Sequence, residues 1–570
     1  MTANPGTAAF CLATLLWLGT ALASEAQDRW RRTPVDGFVL AKLKRVGLKA
    51  QGEADRHTLI RRVSAGLTGL PPAIEELDRF VTDTRPDAYE RMVNRYLESP
   101  RYGERWARHW LDVARFGESD GILNVNNDKV RKDAWKYRDA VVNAFNADLP
   151  FDQFVRGQLN GPAVAPSPEF AELKQFPHLG THLQDNDNPN DRQFHRLDDM
   201  VATLGSAFLG LTFGCARCHD HPVDPMSTEE YYQFTAFFFD QFQELPMAGK
   251  RPVSLVIKEP RVLHKGSWST PGKRVDPGFL RVLMKQPADH WRKPGKAKLE
   301  ALADWMTDTQ NGAGMQLARV IVNRVWHHHF GRGLVKTPND FGKLGDKPSH
   351  PELLDWLAGY LIDHEWRIKS LQRLILNSAV YRQSAAKNGR AATKDADNKW
   401  LWQRRPQRLN AETIRDRLLS VAGALRTEMR GPSLPVGNHK NTIPEHPERW
   451  RRSLYLQVNR TARPATLSLF DPANNEKSVG ARSTGSSPDS ALFALNSPLV
   501  WSLASRLADR VIAEVGTDRE RQIEHCYLLA LSRPPTAEER SIGRQLLQSN
   551  GSLMEYCHVI LALNEFIYIH

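Results

Sequence analysis

The chain has 570 residues, of which 41% are hydrophobic and 25% are charged. This composition is ordinary for a folded protein, and the length exceeds what one compact core accommodates, so two large domains are expected. The net charge of +12 comes from 77 basic and 65 acidic residues that are spread along the whole chain. Because no basic tail or lysine-rich block occurs, the surplus does not indicate a nucleic-acid-binding protein.

An apolar stretch from Ala8 to Leu22 begins the sequence and contains the small-residue pattern Ala21-Leu22-Ala23. The stretch is short for a membrane span, so it predicts a signal peptide over residues 1–23 and export to the periplasm or the cell envelope. An N-terminal anchor or a poorly packed first helix are the alternatives, because no Lys or Arg precedes it. No later run of about 18 apolar residues occurs, so no transmembrane segment is expected after signal cleavage.

Apolar residues at helical spacing dominate the region that follows. Pro71-Pro72 predicts the start of a short helix. A helix with one apolar face is expected to begin near Asp87, and after the break at Ser99-Pro100 a further helix should carry Trp106 and Trp110.

His109 and Asp112 lie three residues apart on this last predicted helix. At that spacing the carboxylate can orient the imidazole, so the two residues are candidates for a catalytic pair. A polar contact between helices is the more ordinary interpretation of the same spacing.

The segment 161–190 is rich in Pro and Asn and is interpreted as a long loop. A helix from about Asp199 should then lead to a cysteine motif at residues 215–219. Ser227-Thr228-Glu229-Glu230 has the spacing of a capping box and predicts a helix that runs to about Phe239. The cysteine motif is therefore expected in a short loop between two helices.

Cys215-Ala216-Arg217-Cys218-His219 has the C-x-x-C-H pattern of c-type haem attachment. Two thiols three residues apart can add to the two haem vinyl groups, and the next residue is placed to bind the iron through imidazole. The sequence thus predicts haem c at these three side chains. Zinc or another transition metal, bound with His221 or Asp224, is an alternative, although no second cysteine pair completes a tetrahedral site. A redox or structural cysteine pair is the third interpretation.

The second axial position of such a haem has several candidate ligands. Met226 is close to His219 in sequence, which limits its reach to the opposite haem face, whereas His182 and His195 lie upstream and are sterically freer; His221 is a further candidate. A Met ligand would favour electron transfer, and an open position would favour ligand binding or peroxide chemistry. The sequence does not choose between them.

Residues 246–300 are rich in Pro, Gly, Lys and Arg and are interpreted as the connection between domains, with a strand candidate at 253–257. A helix through Leu317 and Val325 follows, which Gly331 would close. Its last turn carries His327-His328-His329. Consecutive positions point in different directions, so at most two of these rings would share a site, and positive charge at a helix C-terminus is the simpler explanation.

Three further features lie in the second half of the chain. Ser349-His350-Pro351-Glu352 has capping-box spacing ahead of another helix, and 453–458 is a strand candidate. Cys526 and Cys557 are expected either to form a disulfide in an oxidising compartment or to be two buried thiols.

Arg and Trp residues interleave in two short stripes, Arg29-Trp30-Arg31-Arg32 and Arg449-Trp450-Arg451-Arg452. Such stripes could hold haem propionates or an anionic polysaccharide. Ordinary packing with solvated guanidinium groups is the expected role.

Long motifs are distributed over nearly all of the mature chain. In the first half they are Pro34-Val35-Asp36, Leu70-Pro71-Pro72, Tyr102-Gly103-Glu104-Arg105-Trp106, Ala134-Trp135-Lys136-Tyr137-Arg138-Asp139 and the stretch from Phe208 to His221. In the second half they are Asn323-Arg324-Val325-Trp326, Thr337-Pro338-Asn339-Asp340-Phe341-Gly342, His350-Pro351-Glu352-Leu353, Leu495-Asn496-Ser497-Pro498 and Ala530-Leu531-Ser532-Arg533-Pro534-Pro535. With these motifs the chain resembles an exported two-part planctomycete family, in which a cytochrome-C-like domain precedes a second, planctomycete-specific domain of unknown function. The resemblance implies secretion and an association with haem, without an established reaction.

Together these observations predict a mainly α protein with two helical domains, a few short strands and long irregular loops. The expected order is a signal peptide (1–23), a cytochrome-C-like domain (27–245), a linker (246–300) and a second helical domain (301–570). The first functional hypothesis is an exported c-type haem protein that acts in electron transfer or haem-based oxidation, with a redox partner. The alternative is an envelope protein that processes or binds an anionic polysaccharide, with a cysteine cluster that binds a non-haem metal or is structural. Whether the chain is an enzyme stays open.

Overall fold

Helices dominate the computed structural model, which describes residues 30–121, 128–160, 167–183, 188–242, 257–386, 388–438, 440–483, 485, 488–549 and 551–570. Strands in these ranges are confined to two short two-stranded sheets. The predicted mainly α class is thereby confirmed. The signal peptide and Cys11 lie outside the described residues. None of the described helices is both long and apolar enough to cross a membrane.

The described region up to residue 242 is built from α-helices and three segments of 3-10 helix. The α-helices are α1 (Pro34–Val46), α2 (Arg56–Leu67), α3 (Ile74–Val81), α4 (Ala88–Glu98), α5 (Pro100–Val113), α6 (Ala134–Asn146), α7 (Phe151–Asn160), α8 (Pro189–Leu204) and α9 (Thr228–Thr235). The 3-10 segments are Pro168–His178, Gly214–Arg217 and Phe239–Phe242, and a π-helical turn spans Gly205–Leu209.

Local sequence explains most of these boundaries. Ser99 caps α5 by accepting a hydrogen bond from the Arg101 amide, and Pro100 occupies the first helical position, where its missing N–H costs nothing. The short helix after Pro71-Pro72, the helix that begins near Asp87 and the helix that carries Trp106 are all confirmed. Their apolar faces are buried, as the spacing predicts.

The helix expected from Asp199 begins ten residues earlier, at Pro189. Asn188 caps it by accepting from the Asn190 amide. The spacing of apolar residues does not reveal the first turns of α8, because these turns bury polar side chains, among them Gln193. Ser227 forms the predicted capping box with Glu230, but α9 ends at Thr235 instead of Phe239.

The described part of the predicted linker is packed and not loose. Strands β1 (Arg261–Leu263) and β2 (Pro271–Arg274) form an antiparallel hairpin in which Arg261 pairs with Arg274. Phe279 and Trp291 are buried in the core. Of the strand candidate at 253–257, residues 253–256 lie outside the described residues, and Ile257 is not in a strand.

The second half is again helical. Its α-helices are α10 (Lys298–Thr307), α11 (Gly314–Phe330), α12 (Pro351–Asp363), α13 (Ile368–Asn377), α14 (Ala379–Arg382), α15 (Gly389–Lys394), α16 (Ala411–Val421), α17 (Ala465–Ser468), α18 (Pro488–Asn496), α19 (Pro498–Val515), α20 (Arg519–Leu531), α21 (Ala537–Gln548), α22 (Leu553–Ala562) and α23 (Asn564–Ile567). Strand β3 (Gln407–Arg408) pairs antiparallel with β4 (Tyr568–Ile569). Gly331 ends α11 in the left-handed conformation (φ 77°), as predicted.

Two local predictions in this half are wrong. At the start of α12 the Ser349 hydroxyl bonds to the His350 ring (2.9 Å), so the helix forms without the capping box. The strand candidate 453–458 is instead a 3-10 turn, Ser453–Tyr455. Both the amide and the hydroxyl of Ser453 donate to the Asp416 carboxylate on α16 (2.7 Å each), which bends the chain out of an extended path.

Two hydrophobic cores organise the described residues. The larger one takes side chains from both sides of the predicted linker, including Trp106, Phe213 and Trp326. The smaller one joins α16, α19, α20 and α22 at the C-terminal end. The domain limits 27–245 and 301–570 stay predictions.

Cys526 and Cys557 lie side by side in the smaller core. Both are free and buried, and their sulfur atoms are 3.7 Å apart between α20 and α22. Of the two expectations, the structure has the buried thiols and not the disulfide.

Candidate functional site

The predicted cysteine motif forms an exposed 3-10 turn, Gly214–Arg217, between the π-helical end of α8 and the start of α9. Phe213 and Ala216 are buried and anchor the turn in the core, while Cys215, Cys218 and His219 all lie on the surface. The Ala216 amide donates to the Phe213 carbonyl (3.0 Å), and the Cys218 amide donates to the Cys215 carbonyl (3.3 Å). The turn therefore presents both thiols and the imidazole on the same exposed segment.

Arg217 ties this turn to its neighbours. Its guanidinium forms an ion pair with Asp198 on α8 (2.6 Å) and donates to the Gly266 carbonyl (3.1 Å) in the β1–β2 hairpin. The Tyr232 hydroxyl on α9 donates to the Arg217 carbonyl (3.0 Å). Three separate elements thus hold the backbone between the two cysteines.

Gly266 allows the hairpin to lie directly against the motif. It has a positive φ of 72°, and a Cβ atom there would lie 3.0 Å from the Cys218 sulfur and 2.9 Å from Arg217 Nε. A side chain at this position would be strained and would press on the cysteine turn. One side of Cys218 is therefore covered by backbone alone.

His219 has its two ring nitrogens in different environments. Nδ1 lies 2.8 Å from the Asp220 carbonyl, so it carries the proton and donates to that oxygen. The neutral ring then leaves Nε2 with its lone pair on the exposed side. This is the tautomer that a metal-binding histidine adopts when a backbone carbonyl orients it.

Two of the four candidates for a second axial ligand lie just after the motif, and neither is free. Met226 is buried in the larger core. His221 is also buried, and its Nδ1 accepts a hydrogen bond from the Asp224 amide (2.9 Å). The proton of a neutral His221 ring is thereby placed on Nε2, so that nitrogen is a donor instead of a ligand.

The two upstream candidates are also engaged. His182 Nδ1 lies 3.4 Å from Asp120 Oδ1, and burial, opposed by the hydrogen bond to Asp120, lowers the pKa of His182 to about 4. His195 Nε2 is 3.1 Å from the Thr181 hydroxyl. Each of these rings already has a protein partner for one nitrogen.

A non-haem metal site finds no support in this geometry. Within the ranges that the structure describes, no three His, Cys, Asp or Glu side chains are grouped where they could hold an ion. The zinc alternative at Cys215, Cys218, His219 and Asp224 therefore lacks a convergent ligand set.

A cavity of about 560 Å³ lies away from the cysteine motif, and sequence reasoning did not assemble it. Helix α5 forms one wall with Arg105, His109 and Asp112. The end of α11 and the segments 397–410 and 470–483 form the rest. Its walls come from positions so far apart in sequence that no local signal connects them.

His109 does not pair with Asp112, contrary to the predicted catalytic pair. Asp112 is buried and accepts from two guanidinium groups, those of Arg108 (2.5 Å) and Arg482 (2.6 Å). These charge-assisted bonds are stronger than a bond to a neutral imidazole. His109 instead stacks on His328 of α11, with ring centroids 3.6 Å apart and an interplanar angle of 23°.

The three consecutive histidines divide between the cavity and the core. His327 and His328 line the cavity, whereas His329 is buried with both ring nitrogens lacking a hydrogen-bond partner in the described chain. Burial, helped by Arg324, lowers the pKa of His327 to about 4, and burial, helped by Arg404 and Arg105, lowers that of His329 to about 3. The rings are therefore neutral, and a positive charge at the helix end does not explain the run.

In the second Arg-Trp stripe, Arg452 is structural. Arg452 is buried and bonds to Glu104 (2.8 Å) on α5 and to Asp416 (3.0 Å) on α16. Its guanidinium is not solvated, and it is not available to a propionate or a polysaccharide. In the first stripe Arg29 lies outside the described residues, and Arg32 pairs with Glu53.

Two family models match the chain. Residues 34–243 match PSCyt2, a protein of unknown function (DUF1549), and residues 299–547 match PSD1, a protein of unknown function (DUF1553). No curated protein and no solved structure matches it. The cysteine turn lies inside the first match, and the cavity lies between the two, with His109 in the first and His328 in the second. The name PSCyt2 suggests a cytochrome-like planctomycete family. The chain therefore carries a DUF1549 domain followed by a DUF1553 domain, the order that the motifs predicted.

Proposed function

We propose that this chain is an exported c-type haem protein, in which Cys215 and Cys218 hold haem through thioether bonds and His219 is the proximal ligand. The proposal rests on the accessibility of the three donor side chains. Both thiols are free and exposed, three residues apart, and the hydrogen bond from His219 Nδ1 to the Asp220 carbonyl leaves Nε2 bare. The residues present fit the group in donor type, spacing and accessibility.

Covalent attachment of haem requires that both thiols be accessible and correctly spaced. Each thiol would add across one haem vinyl group, with the sulfur bonded to one vinyl carbon and the hydrogen transferred to the other. An exposed turn admits this reaction, whereas a buried pair such as Cys526 and Cys557 does not. The contacts of Arg217 keep the backbone of the turn in place while both sulfurs react.

The role of the site follows from the second axial position. Haem in a protein supplies one-electron redox chemistry and, where a coordination position is open, a site for small ligands or peroxide. Met226 is buried and His221 Nδ1 accepts from the Asp224 amide, which disfavours both as ligands. His182 and His195 each use one ring nitrogen, as His219 does, which leaves the other nitrogen for a metal. A ligand from either residue would favour electron transfer, and an open position would favour ligand binding or haem-based oxidation.

The test is a pyridine haemochrome spectrum of protein exported from a host with c-type haem maturation, recorded after acid–acetone extraction of any loosely bound haem. The wild type should give a c-type spectrum, and the Cys215→Ser/Cys218→Ser variant should give none. The matched control is Cys526→Ala/Cys557→Ala, which also removes two thiols and should keep the spectrum. A colourless wild type, or haem that the serine variant retains, would overturn the proposal.

A further inference from the structure

The cavity between α5 and the end of α11 is a candidate binding site that is independent of haem at the cysteine turn. Its volume of about 560 Å³ falls in the range of small-molecule sites, about 300–1,000 Å³. It lies between the segments that match the two family models, and interfaces between domains are preferred places for ligand sites.

Positive charge dominates its walls. Each acidic residue of the lining already has an arginine partner. Asp112 pairs with Arg482 and Arg108. Asp471 pairs with Arg408, and Asp397 lies 3.9 Å from Arg332. Five lining cations form no ion pair within the described chain, namely Arg105, Lys336, Lys399, Arg404 and Arg405. An unmatched set of this kind attracts an anion.

Arg404 is a buried cation of the lining that has no counter-charge among the described residues. It is only 4% exposed, and its Nε and Nη1 atoms have no hydrogen-bond partner in the described residues. Its guanidinium lies 5.1 Å from the Phe330 ring and 4.9 Å from the Tyr381 ring, and burial lowers its pKa to about 9. A buried cation without a counter-charge is unfavourable, so an anion in the cavity would relieve it.

The imidazoles of His109 and His328 add hydrogen-bond acceptors to this cationic cavity. Neither ring forms a hydrogen bond to a protein group within the described chain, and both are half-buried. Burial, together with the neighbouring Arg105, holds the pKa of both rings well below the ordinary value. A neutral imidazole offers one acceptor nitrogen, which suits a hydroxyl donor.

The aromatic side chains of the lining do not offer a free ring face. Trp326 stacks on Phe330 with centroids 4.2 Å apart, and the Arg404 guanidinium lies over the same Phe330 ring. Phe470 is buried. A ligand that matches the cations and the imidazoles of this cavity carries a negative group and hydroxyl groups.

We propose that this cavity binds a carboxylate-bearing saccharide, with Arg404 and the rim lysines Lys336 and Lys399 facing the carboxylate and with His109 and His328 accepting hydrogen bonds from hydroxyl groups. An arginine fork matches a carboxylate in shape and charge. A neutral sugar has the hydroxyl groups but lacks the charge.

The experiment is a calorimetric titration of the full chain with four probes: trigalacturonate, its methyl ester, a sulfated galactose trisaccharide and inorganic phosphate. Trigalacturonate should bind, and the uncharged ester should bind at least about tenfold more weakly, the loss that follows from removing a charge-assisted contact. A sulfated probe or phosphate that binds as tightly as trigalacturonate would overturn the carboxylate assignment, and no binding by any probe would overturn the site.

Variants locate the site. Lys336→Gln/Lys399→Gln changes two exposed side chains without ion pairs, so the fold should persist while trigalacturonate affinity falls at least about tenfold. Lys132→Gln/Lys285→Gln removes the same charge from exposed positions outside the cavity and should leave affinity within about twofold. Equal affinities in the two double variants would place the ligand elsewhere. Arg404→Gln should also weaken binding, and circular dichroism of that variant checks its fold.

Discussion

The cysteine turn and the histidine cavity hold their reactive side chains in opposite environments. At the turn, Cys215, Cys218 and His219 lie in solvent, and only the backbone beneath them is fixed. In the cavity, His109 and His328 stack on each other among arginines and are held neutral by burial. The first arrangement suits covalent attachment of a large group, which needs access. The second suits selection of a small ligand, which needs enclosure.

The two regions also differ in what their side chains contribute to stability. The side chains at the turn make few contacts, so their replacement should cost little. The cavity wall contains buried ion pairs whose loss leaves a charge without a partner. Substitutions in the two regions should therefore separate function from folding.

Arg482→Met should have the largest effect on stability. Arg482 bonds to both Asp112 and Glu412 at 2.6 Å, and although burial would raise it, this pairing lowers the pKa of Glu412 to about 2. Removal of the guanidinium leaves two buried carboxylates with Arg108 as their nearest cation, so the free energy of unfolding should fall by about 3 kcal/mol. Urea denaturation at pH 7 measures the change.

Arg426→Met is the matched control for Arg482, because Arg426 pairs with Glu428 in solvent. Exposed pairs are worth less than about 1 kcal/mol. If Arg482→Met cost no more than this control, the contrast between a rigid cavity wall and a replaceable surface turn would be lost.

His329→Leu should alter the dependence of stability on pH. The pKa of His329 is lowered to about 3 in the folded chain, against about 6.5 when unfolded. Below pH 6.5 the unfolded chain binds the proton more readily, so wild-type stability falls as pH drops from about 6.5 towards 3. The leucine variant should lose part of this slope, and because both ring nitrogens lack partners it should be no less stable at pH 7.

Unfolding free energies at a series of pH values between 4 and 8 distinguish the two cases for His329. Parallel curves for the wild type and the leucine variant would mean that His329 has the same pKa in the folded chain as in the unfolded chain, so that burial does not keep its ring neutral. That result would contradict the neutral histidines on which the cavity description depends.

Cys215→Ser/Cys218→Ser should abolish haem attachment and leave the fold intact. Both side chains are exposed, so the free energy of unfolding of haem-free protein should change by less than about 0.5 kcal/mol. Thermal unfolding of wild type and variant, both produced without haem maturation, measures it. A large loss would show that the thiols are structural, as the third interpretation of the motif holds.

Met226→Leu should have the smallest effect on the haem. Met226 is buried in the larger core, and a Met-to-Leu exchange in a core costs less than about 1.5 kcal/mol. The visible spectrum of haem-loaded protein should be unchanged. A changed spectrum in both oxidation states would identify Met226 as an axial ligand and shift the proposed role towards electron transfer.

Sequence reasoning succeeded where the signal is local. The helix after Asp87, the break at Ser99-Pro100 and the end of α11 at Gly331 follow from spacing and capping residues within a few positions. The cysteine turn is local in the same sense, because its thiols and imidazole are neighbours in sequence.

It failed where a distant partner decides the outcome. Asp416 bends the chain at Ser453, where alternation indicated a strand. The Asp112 carboxylate pairs with Arg482 and not with His109, and the His109 ring stacks on His328. The buried polar side chains of α8 likewise depend on tertiary contacts that no period of apolar residues reveals.

Covalent haem at Cys215 and Cys218 is tested most directly by the intact mass of the wild-type chain, exported from a host with c-type haem maturation and measured under denaturing conditions. The account predicts a mass equal to that of the processed polypeptide plus one haem, with the added mass on the peptide that contains both cysteines. A mass equal to that of the polypeptide alone would contradict it.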